Sequence, residues 1–387
     1  MHFPIQEMRK FVAPEIVFGA GALSLTGMYA RNLGAKKVLV VTDEGVQRAG
    51  WTGKAIQHIV GEGLSHTVFS DVTPNPRSGE VMSGASLYQK ERCDAIVAVG
   101  GGSPIDCAKG IGTVVSNGGN ILEYEGVDRI AKPIPPLICI PTTAGAAADV
   151  SQFAIISDTV RKVKIALISK TLVPDLALID AETTTTMSAE LTACTGLDAM
   201  THAVEAFVSN ARFNLTDLYA LDSIRIIYNN LLQAIEEPEN IKYRTAMMLA
   251  CLEAGIAFSN ASLGAVHAMA HSLGGLLDLP HGACNAMLLE WIVDFNYKAA
   301  AEQYSLIGSA IGLDMSAGDE DSGKKKLTDA IHDFRIRAGI NKTIGALGVN
   351  LEHIRDLAAN AISDPCMVTN PVTPTQNDIE RIYERAL

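Results

Sequence analysis

The two halves of the chain carry different hydrophobic patterns, and this difference limits the folds open to it. Before residue 185, short uninterrupted aliphatic runs alternate with helix-like stretches near 51–63 and 79–92. Such runs predict strands buried on both faces, as in a parallel sheet covered by helices. The runs span residues 36–45, 94–103, 135–143, 153–158, 164–169 and 175–180. The first half is therefore predicted to form an α/β domain.

After residue 185 the strand-like runs nearly vanish, and apolar residues recur at helical spacing. The helix-like segments span residues 188–209, 216–235, 243–259 and 326–339. Ser188, Thr216 and Thr328 each precede acidic residues, a pattern typical of helix N-termini. We therefore predict an α/β domain over residues 1–185 and an all-helical domain over residues 186–387.

Charge and cysteine usage restrict the partners and the compartment. The net charge is −12, so the chain should repel nucleic-acid backbones and anionic lipid, and we expect neither nucleic acid nor membrane as a partner. No apolar run reaches the about 18 residues of a membrane span, and the N-terminus has no signal-like apolar region. Seven scattered cysteines without C-x-x-C indicate reduced thiols and a cytoplasmic protein. A charged fraction of only 19% favours burial of apolar surface in a homo-oligomer.

A glycine-rich turn follows the second aliphatic run. Gly100, Gly101, Gly102 and Ser103 stand between that run and a helix-like stretch that begins at Pro104. Glycine permits close approach of the backbone, and helix N-terminal N–H groups attract anions. The turn therefore suits a dinucleotide pyrophosphate, although its spacing is not G-x-G-x-x-G. The alternative is a tight strand-to-helix turn without a ligand.

Asp43 lies at the end of the aliphatic run that comes first in the chain. A carboxylate at the carboxyl end of a parallel strand can accept a hydrogen bond from a ribose 2′-hydroxyl and repel a 2′-phosphate. Asp43 is therefore a candidate for the selection of NAD. The alternative is a turn or helix-capping residue.

Two pairs of polar residues four apart stand in apolar helical segments. Asp198 and His202 form one pair and His267 and His271 the other, and His281 follows in a predicted loop after Pro280. Members of a pair share one helix face. A lone buried histidine is usually a hydrogen-bonded core residue, but a whole set is costly to bury without a ligand. A divalent metal such as Fe(II), Zn, Mn, Co or Ni would bind such oxygen and imidazole donors, and the spacing does not distinguish among them.

Taken together, these motifs resemble the iron-containing (type III) alcohol dehydrogenase family over essentially the whole chain. The resemblance rests on "GGGSPIDCAK", "SNGGNILEYEG", "PTTAG", "GLDAMTHAVEA", "NASLGAVHAMAHSLGG" and "DLPHG", in that order. It implies an N-terminal dinucleotide-binding domain, a C-terminal helical metal-binding domain, and an active site in the cleft between them.

The resemblance also implies roles for single residues. Asp198, His202, His267 and His281 match the metal ligands, and His271 matches a histidine near the substrate that we expect on the proton path. The positions that match cofactor contacts are Asp43, Gly100, Gly101, Gly102, Ser103, Thr142, Thr143 and Lys164.

Two stretches depart from the family pattern. The family usually continues "PTTAG" with T-G-S-E, whereas this chain has Ala146, Ala147, Ala148 and Asp149. Hydroxyls expected beside the cofactor are therefore missing. Near the C-terminus the family often has N-P-R, but Val372 stands in place of the arginine.

The sequence thus predicts hydride transfer between NAD(H) and a small primary alcohol or aldehyde, with Fe(II) or another divalent metal, such as Zn, Mn or Co, polarising the substrate oxygen. One alternative is an NAD- and metal-dependent lyase similar to dehydroquinate synthase. Another is a nucleotide- or metal-binding protein without catalysis. Formation of NADH from a simple alcohol would distinguish the enzyme from both.

Overall fold

The computed structural model of the protein describes residues 10–316 and 318–387; residues 1–9 of the predicted first domain lie outside this part. The described strands all lie in the first half of the chain. They are β1 (Glu15–Phe18), β2 (Lys37–Val41), β3 (Ser65–Phe69), β4 (Ala95–Gly100), β5 (Gly126–Val127), β6 (Leu137–Pro141), β7 (Phe153–Asp158), β8 (Val163–Ile168) and β9 (Leu176–Ile179).

Six of these strands form one sheet, which is parallel throughout. Its order is β1-β9-β6-β4-β2-β3, so β2, β4 and β6 are neighbours. Val41 pairs with Ala98, and Gly100 pairs with Pro141. The segments that follow β2, β4 and β6 therefore leave the sheet at the same edge. The chain changes direction across the sheet between β2 and β4, which is where ligands bind in open α/β folds.

The prediction that 153–158 and 164–169 belong to the parallel sheet is wrong. They form β7 and β8, which pair antiparallel in a second sheet of order β5-β8-β7. Only four residues, 159–162, join them, and a parallel pair needs a crossover connection of about a dozen residues. The short strands β1 and β3 fall outside every predicted run.

The α-helices of the first half cover the six-stranded sheet, and those of the second half form the rest of the described chain. The first group is α1 (Thr26–Asn32), α2 (Glu44–Arg48), α3 (Trp51–Gly61), α4 (Ser78–Glu91) and α5 (Gly102–Asn117). The second group is α6 (Ala189–Val208), α7 (Asn214–Glu236), α8 (Ile241–Ala261), α9 (Ala265–Leu277), α10 (His281–Asn296), α11 (Ala301–Ala310), α12 (Glu320–Arg337), α13 (Leu351–Ser363) and α14 (Gln376–Ala386). The predicted fold class is confirmed, whereas a domain boundary at residues 185 and 186 stays a prediction.

The helix starts agree with the sequence in part. The Ser188 hydroxyl accepts from Leu191 N at 3.1 Å and caps α6, as predicted. Thr328 does not start a helix, because α12 begins eight residues earlier and is capped by Asp319. The Thr328 hydroxyl instead bonds back to the Lys324 carbonyl within the helix.

Helix α10 begins at His281, with Pro280 in extended conformation before it. The prediction that His281 lies in a loop is therefore wrong. Its position at a helix start matters for the site, because it fixes the imidazole beside the helices that carry the other candidate ligands.

No single helix in residues 10–316 and 318–387 is both long and apolar enough to cross a membrane. Helices α8 and α9 meet these requirements only when counted together, and they are bent by 99°.

Candidate functional site

The glycine turn connects β4 to α5 at the edge where β2 and β6 also end. Gly101 is the N-cap residue of α5, a 16-residue helix, and it makes no side-chain capping bond to the first N–H groups. A Cβ atom at Gly101 would lie 3.0 Å from Thr143 Oγ1, and one at Gly102 would lie 2.8 Å from Ala146 Cβ. Glycine is required at these two positions because Thr143 and Ala146 lie so close to the backbone. The open start of the helix can receive a phosphate group.

Asp43 follows β2 on the side of the glycine turn. Its Oδ1 accepts a hydrogen bond from Val46 N at 2.9 Å, so the residue caps α2. The capping role that the sequence left open is therefore present. It is compatible with a cofactor contact, because a carboxylate has several acceptor positions.

Two further candidate cofactor residues, Thr142 and Lys164, also lie in the first half of the chain. Thr142 follows β6, and its N–H donates to the Gly100 carbonyl at 3.0 Å. Lys164 lies on β8, where its Nζ donates to Asn75 Oδ1 at 2.6 Å. Burial lowers the pKa of Lys164 below its ordinary value, although several acidic groups, Asp278 among them, oppose the shift.

The alanine stretch that replaces T-G-S-E has a definite geometry. Ala147 adopts a φ of 49°, in the left-handed region that favours glycine. A Cβ at Gly255 on α8 would lie only 2.5 Å from Ala147 Cβ, so Gly255 provides the space for this alanine. Ala146 faces the glycine turn, whereas Ala148 is buried in the core of the first half.

These positions allow a prediction for the missing hydroxyls. Ala146→Thr should strengthen NADH binding by about threefold to tenfold, because one hydrogen bond contributes about 0.5–1.5 kcal/mol net and 1.4 kcal/mol corresponds to a factor of ten. Ala148→Ser is the control and should leave the affinity unchanged, because its side chain points into the core. Fluorescence titration with NADH measures both. Equal binding by the Ala146→Thr variant would show that the cofactor does not reach this position.

Three of the predicted metal ligands converge in the second half of the chain. One donor atom from each of Asp198, His267 and His281 lies within 4.8 Å of the other two. Asp198 and His267 are almost fully buried. Asp198 Oδ1 is 3.8 Å from Nε2 of each of the two histidines. The group joins α6, α9 and α10.

His202 lies beside this group but is not one of its three members. Its ring stacks on His267, with centroids 4.4 Å apart, and on Phe258 on its other side at 4.3 Å. Its buried Nδ1 has no hydrogen-bond partner among the described residues. The role of His202 as a fourth ligand stays a prediction.

Glu205 is a residue that the sequence analysis missed. Its Oε2 accepts from His267 Nδ1 at 2.6 Å, and its Oε1 accepts from Val266 N at 2.6 Å. Burial raises the pKa of Glu205 to about 7, although the backbone N–H groups of Val266, Gly264 and His267 act in the opposite direction. Because Nδ1 of His267 carries the proton, Nε2 retains the lone pair that a metal requires.

Asn285 was also missed. It is fully buried on α10, four residues after His281. Its Nδ2 lies 2.6 Å from Asp198 Oδ1, 3.0 Å from His267 Nε2 and 3.2 Å from His281 Nε2. All three acceptors therefore direct lone pairs toward one small region.

His271 belongs to a different group. Its Nδ1 lies 2.9 Å from Asp364 Oδ2, and together with Cys366 these residues form a second cluster of potential donors. The ring of His271 stacks on that of His281, with centroids 5.3 Å apart and an interplanar angle of 12°. This places His271 next to the three-residue group without making it a member.

The chemistry of the group formed by Asp198, His267 and His281, with His202 beside it, fits a divalent metal. Burial lowers the pKa of His202 to about 4 and that of His267 to about 3, and it also lowers the pKa of His281 well below its ordinary value. These imidazoles are therefore neutral near pH 7, as metal binding requires. The buried Nδ1 of His281 and Oδ1 of Asn285 also have no partner among the described residues. A carboxylate with neutral imidazoles suits Fe(II), Zn, Mn or Co.

Two contacts bring the glycine-turn region and the histidine group close together. The loop after β6 reaches α6, where a Cβ at Gly145 would lie 2.5 Å from Thr195 Cβ. On the other side, Lys164 packs on α9, and a Cβ at Gly274 would lie 2.7 Å from its Nζ. A cofactor at the sheet edge would therefore lie next to the histidine cluster.

Comparisons with known proteins agree over nearly the full length. Residues 13–181 match the family model described as iron-containing alcohol dehydrogenase, and residues 192–387 match the C-terminal model of the same family. The chain is 36% identical over 377 residues to the NAD-dependent methanol dehydrogenase of Bacillus methanolicus, which covers 97% of this chain and 99% of the relative. It is 37% identical over 382 residues to the 1,3-propanediol dehydrogenase of Citrobacter freundii, with coverage of 98% and 99%. A solved structure of 1,3-propanediol oxidoreductase superposes with a TM-score of 0.95 at 36% identity and covers 98% of this chain and 100% of that one.

Proposed function

The chain belongs to the iron-containing alcohol dehydrogenase family and is an alcohol oxidoreductase, and we propose that it transfers hydride between NAD(H) and a small primary alcohol or aldehyde. The alternative of a lyase similar to dehydroquinate synthase is not favoured. We further propose that Asp198, His202, His267 and His281 hold the divalent metal, with Fe(II) as its first candidate.

One observation carries the proposal: a largely buried set of imidazoles and a carboxylate lies in helices that pack against the segments beside an uncapped helix start. The imidazoles and the carboxylate suit a cation, and the helix start suits a phosphate. Lys164 connects the two, since it lies in the cofactor half and packs against α9 of the metal half. This juxtaposition is what hydride transfer from a polarised alcohol needs.

The residues of the chain bind, orient and shield the reactants. A bound divalent metal would polarise the substrate oxygen, and NAD would accept the hydride. Gly101 and Gly102 let the cofactor approach the backbone, while Asp43 discriminates at the ribose. The ring of Phe258 stacks on His202, and Phe153 packs against Phe258 with centroids 5.7 Å apart, so these rings help to exclude water. His271 is the side chain that we assign to movement of the hydroxyl proton.

The test is a substrate screen on protein loaded separately with Fe(II), Zn, Mn or Co. We expect NADH to form from short primary alcohols or diols and to be consumed with the matching aldehydes. The metal that gives the highest turnover at full occupancy identifies the preferred ion. Absence of any NADH change with every alcohol and aldehyde would contradict the proposal.

Asp43 gives a prediction about cofactor choice. Asp43→Gly should shift the preference toward NADPH by about tenfold or more, because a carboxylate facing a 2′-phosphate costs several kcal/mol. Glycine is tolerated at a helix N-cap, so α2 should persist. The ratio of kcat/KM for NADH and NADPH measures the effect. Asp43→Asn, which keeps the cap without the charge, should shift the ratio in the same direction, and an unaltered ratio in both variants would remove Asp43 from this role.

We also propose that the protein acts in the cytoplasm as a homo-oligomer, a dimer or larger, without nucleic-acid or membrane partners. The unpaired cysteines support a cytoplasmic location. The net charge of −12 supports the absence of nucleic-acid and membrane partners. Leu215 and Leu218 on the first turn of α7 are 48% and 69% exposed, which supports burial in a subunit contact. Light scattering coupled to gel filtration measures the mass in solution.

A further inference from the structure

Asp364 is a buried carboxylate beside His271 to which the proposed reaction assigns no role. It follows α13 and caps a short 3-10 helix, Pro365–Thr369. Its Oδ2 lies 2.9 Å from His271 Nδ1, and the two side chains are 8% and 6% exposed. The contact joins residues 93 positions apart in the chain.

The other contacts of Asp364 show which partner donates in this pair. Its Oδ1 accepts from Cys366 N at 2.8 Å, and the Cys366 thiol belongs to the same cluster of potential donors. The other oxygen, Oδ2, is the one that faces His271 Nδ1, so each oxygen of Asp364 has one nitrogen beside it. An ionised carboxylate accepts hydrogen bonds only. Nδ1 of His271 must therefore carry the proton.

A neutral imidazole has one N–H and one lone pair. With the proton fixed on Nδ1, the lone pair of His271 is on Nε2. The ring is also held in place, since it stacks on His281 on one side and meets His267 edge-on, with centroids 6.1 Å apart. Of the charged groups in the first half of the chain, Asp106 interacts electrostatically with His271. Nε2 is thus a hydrogen-bond acceptor beside the predicted metal ligands.

We propose that Asp364 is a positioning residue that fixes His271 as the Nδ1–H tautomer, so that Nε2 accepts the hydrogen bond of the substrate hydroxyl. The inference rests on the proposed function. During alcohol oxidation the hydride leaves the carbinol carbon for NAD and the hydroxyl proton leaves along the hydrogen bond to Nε2. In the reverse reaction, the aldehyde receives the hydride from NADH and the proton from Nε2 of His271.

Asp364→Asn is the informative substitution. The Cys366 N–H still needs an acceptor, so the asparagine oxygen should face Cys366 and its NH₂ should face His271. His271 would then accept at Nδ1 and carry its proton on Nε2, where it can no longer accept from the substrate. We expect kcat to fall by about a hundredfold or more, the size typical of a lost proton-transfer group. Bound metal and NADH affinity should stay at wild-type values.

Three comparisons separate a positioning role from a merely structural one. In a His271→Ala background, Asp364→Asn should cause no additional loss, because Asp364 acts through that ring. Asp319→Asn changes the same chemical group at the cap of α12, where its Oδ1 accepts from Ser322 N, and should leave kcat unchanged. Additive losses in the double variant, or wild-type kcat in Asp364→Asn, would overturn the proposal. Loss of metal from Asp364→Asn would also overturn it.

A measurement without turnover tests the same point. Nitrogen-15 NMR of the zinc-loaded protein distinguishes the two histidine tautomers, and the spectrum of His271→Gln identifies the His271 signals. We expect the Nδ1–H form in the wild type and the Nε2–H form in Asp364→Asn. A wild-type His271 protonated on Nε2 would contradict the proposal even if the variant failed to fold. The same spectra remain decisive if no alcohol is oxidised, which would count against the proposed function alone.

Discussion

His267→Ala should lose the bound metal and nearly all alcohol oxidation. His267 contributes Nε2 to the group with Asp198 and His281, and it is 1% exposed, so water has poor access to replace the missing imidazole. Residues that only orient a ligand already contribute about 10–100-fold to metal affinity, so loss of a ligand should cost more than about a hundredfold. Elemental analysis after gel filtration measures metal per chain, and circular dichroism confirms that the variant is folded.

His202→Ala and His281→Ala should behave in the same way, whereas His271→Ala is the matched control. His271 lies on α9 one turn from His267 and is similarly buried. Its donor atom belongs to the Asp364 cluster, so the alanine variant should keep the metal and lose rate. If His267→Ala binds metal as well as the wild type, the ligand assignment is wrong. If His202→Ala does so, the metal has three protein ligands.

The sequence predicted the parts of this site that depend on helical spacing. Asp198 and His202 share one face of α6, and His267 and His271 share one face of α9, because residues four apart always do so in a helix. The glycine turn and Asp43 were likewise predictable, since both follow aliphatic strands whose ends meet at one edge of a parallel sheet. These relations hold within one helix or at the end of one strand, so they can be predicted from the local sequence. Tertiary packing then brings the separate segments together.

Contacts between distant segments gave no such signal. Asp364 reaches His271 from a stretch 93 residues later, and no periodicity relates the two. The antiparallel pairing of β7 and β8 was missed because aliphatic content suggests burial but not strand direction. Only the length of the connecting loop indicates that direction.

Glu205 is an intermediate case, because its signal was present in "GLDAMTHAVEA". It stands seven residues after Asp198 and three after His202, which places all three on one side of α6. A carboxylate at that position could have been predicted as a partner for a ligand histidine. The sequence could not show which histidine Glu205 meets, because His267 approaches from another helix.

Glu205→Gln should weaken metal binding by about 10- to 100-fold while the fold persists. The carboxylate accepts at both oxygens, from Val266 N and from His267 Nδ1. Glutamine has one acceptor oxygen, so its NH₂ must face one of these two donors. When it faces His267, the ring takes the tautomer with its proton on Nε2, and that nitrogen can no longer bind a metal.

Competition with a chelator under zinc measures the affinity of the Glu205→Gln variant. Glu253→Gln is its control, since Glu253 is a half-buried carboxylate on α8 whose Oε2 has no partner among the described residues. Burial raises the pKa of Glu253 to about 7, as it does for Glu205, so the two substitutions change similar groups. Glu253→Gln touches no ligand histidine and should leave the metal affinity unchanged. Equal affinities of the Glu205→Gln variant and the wild type would show that packing alone, without Glu205, orients His267.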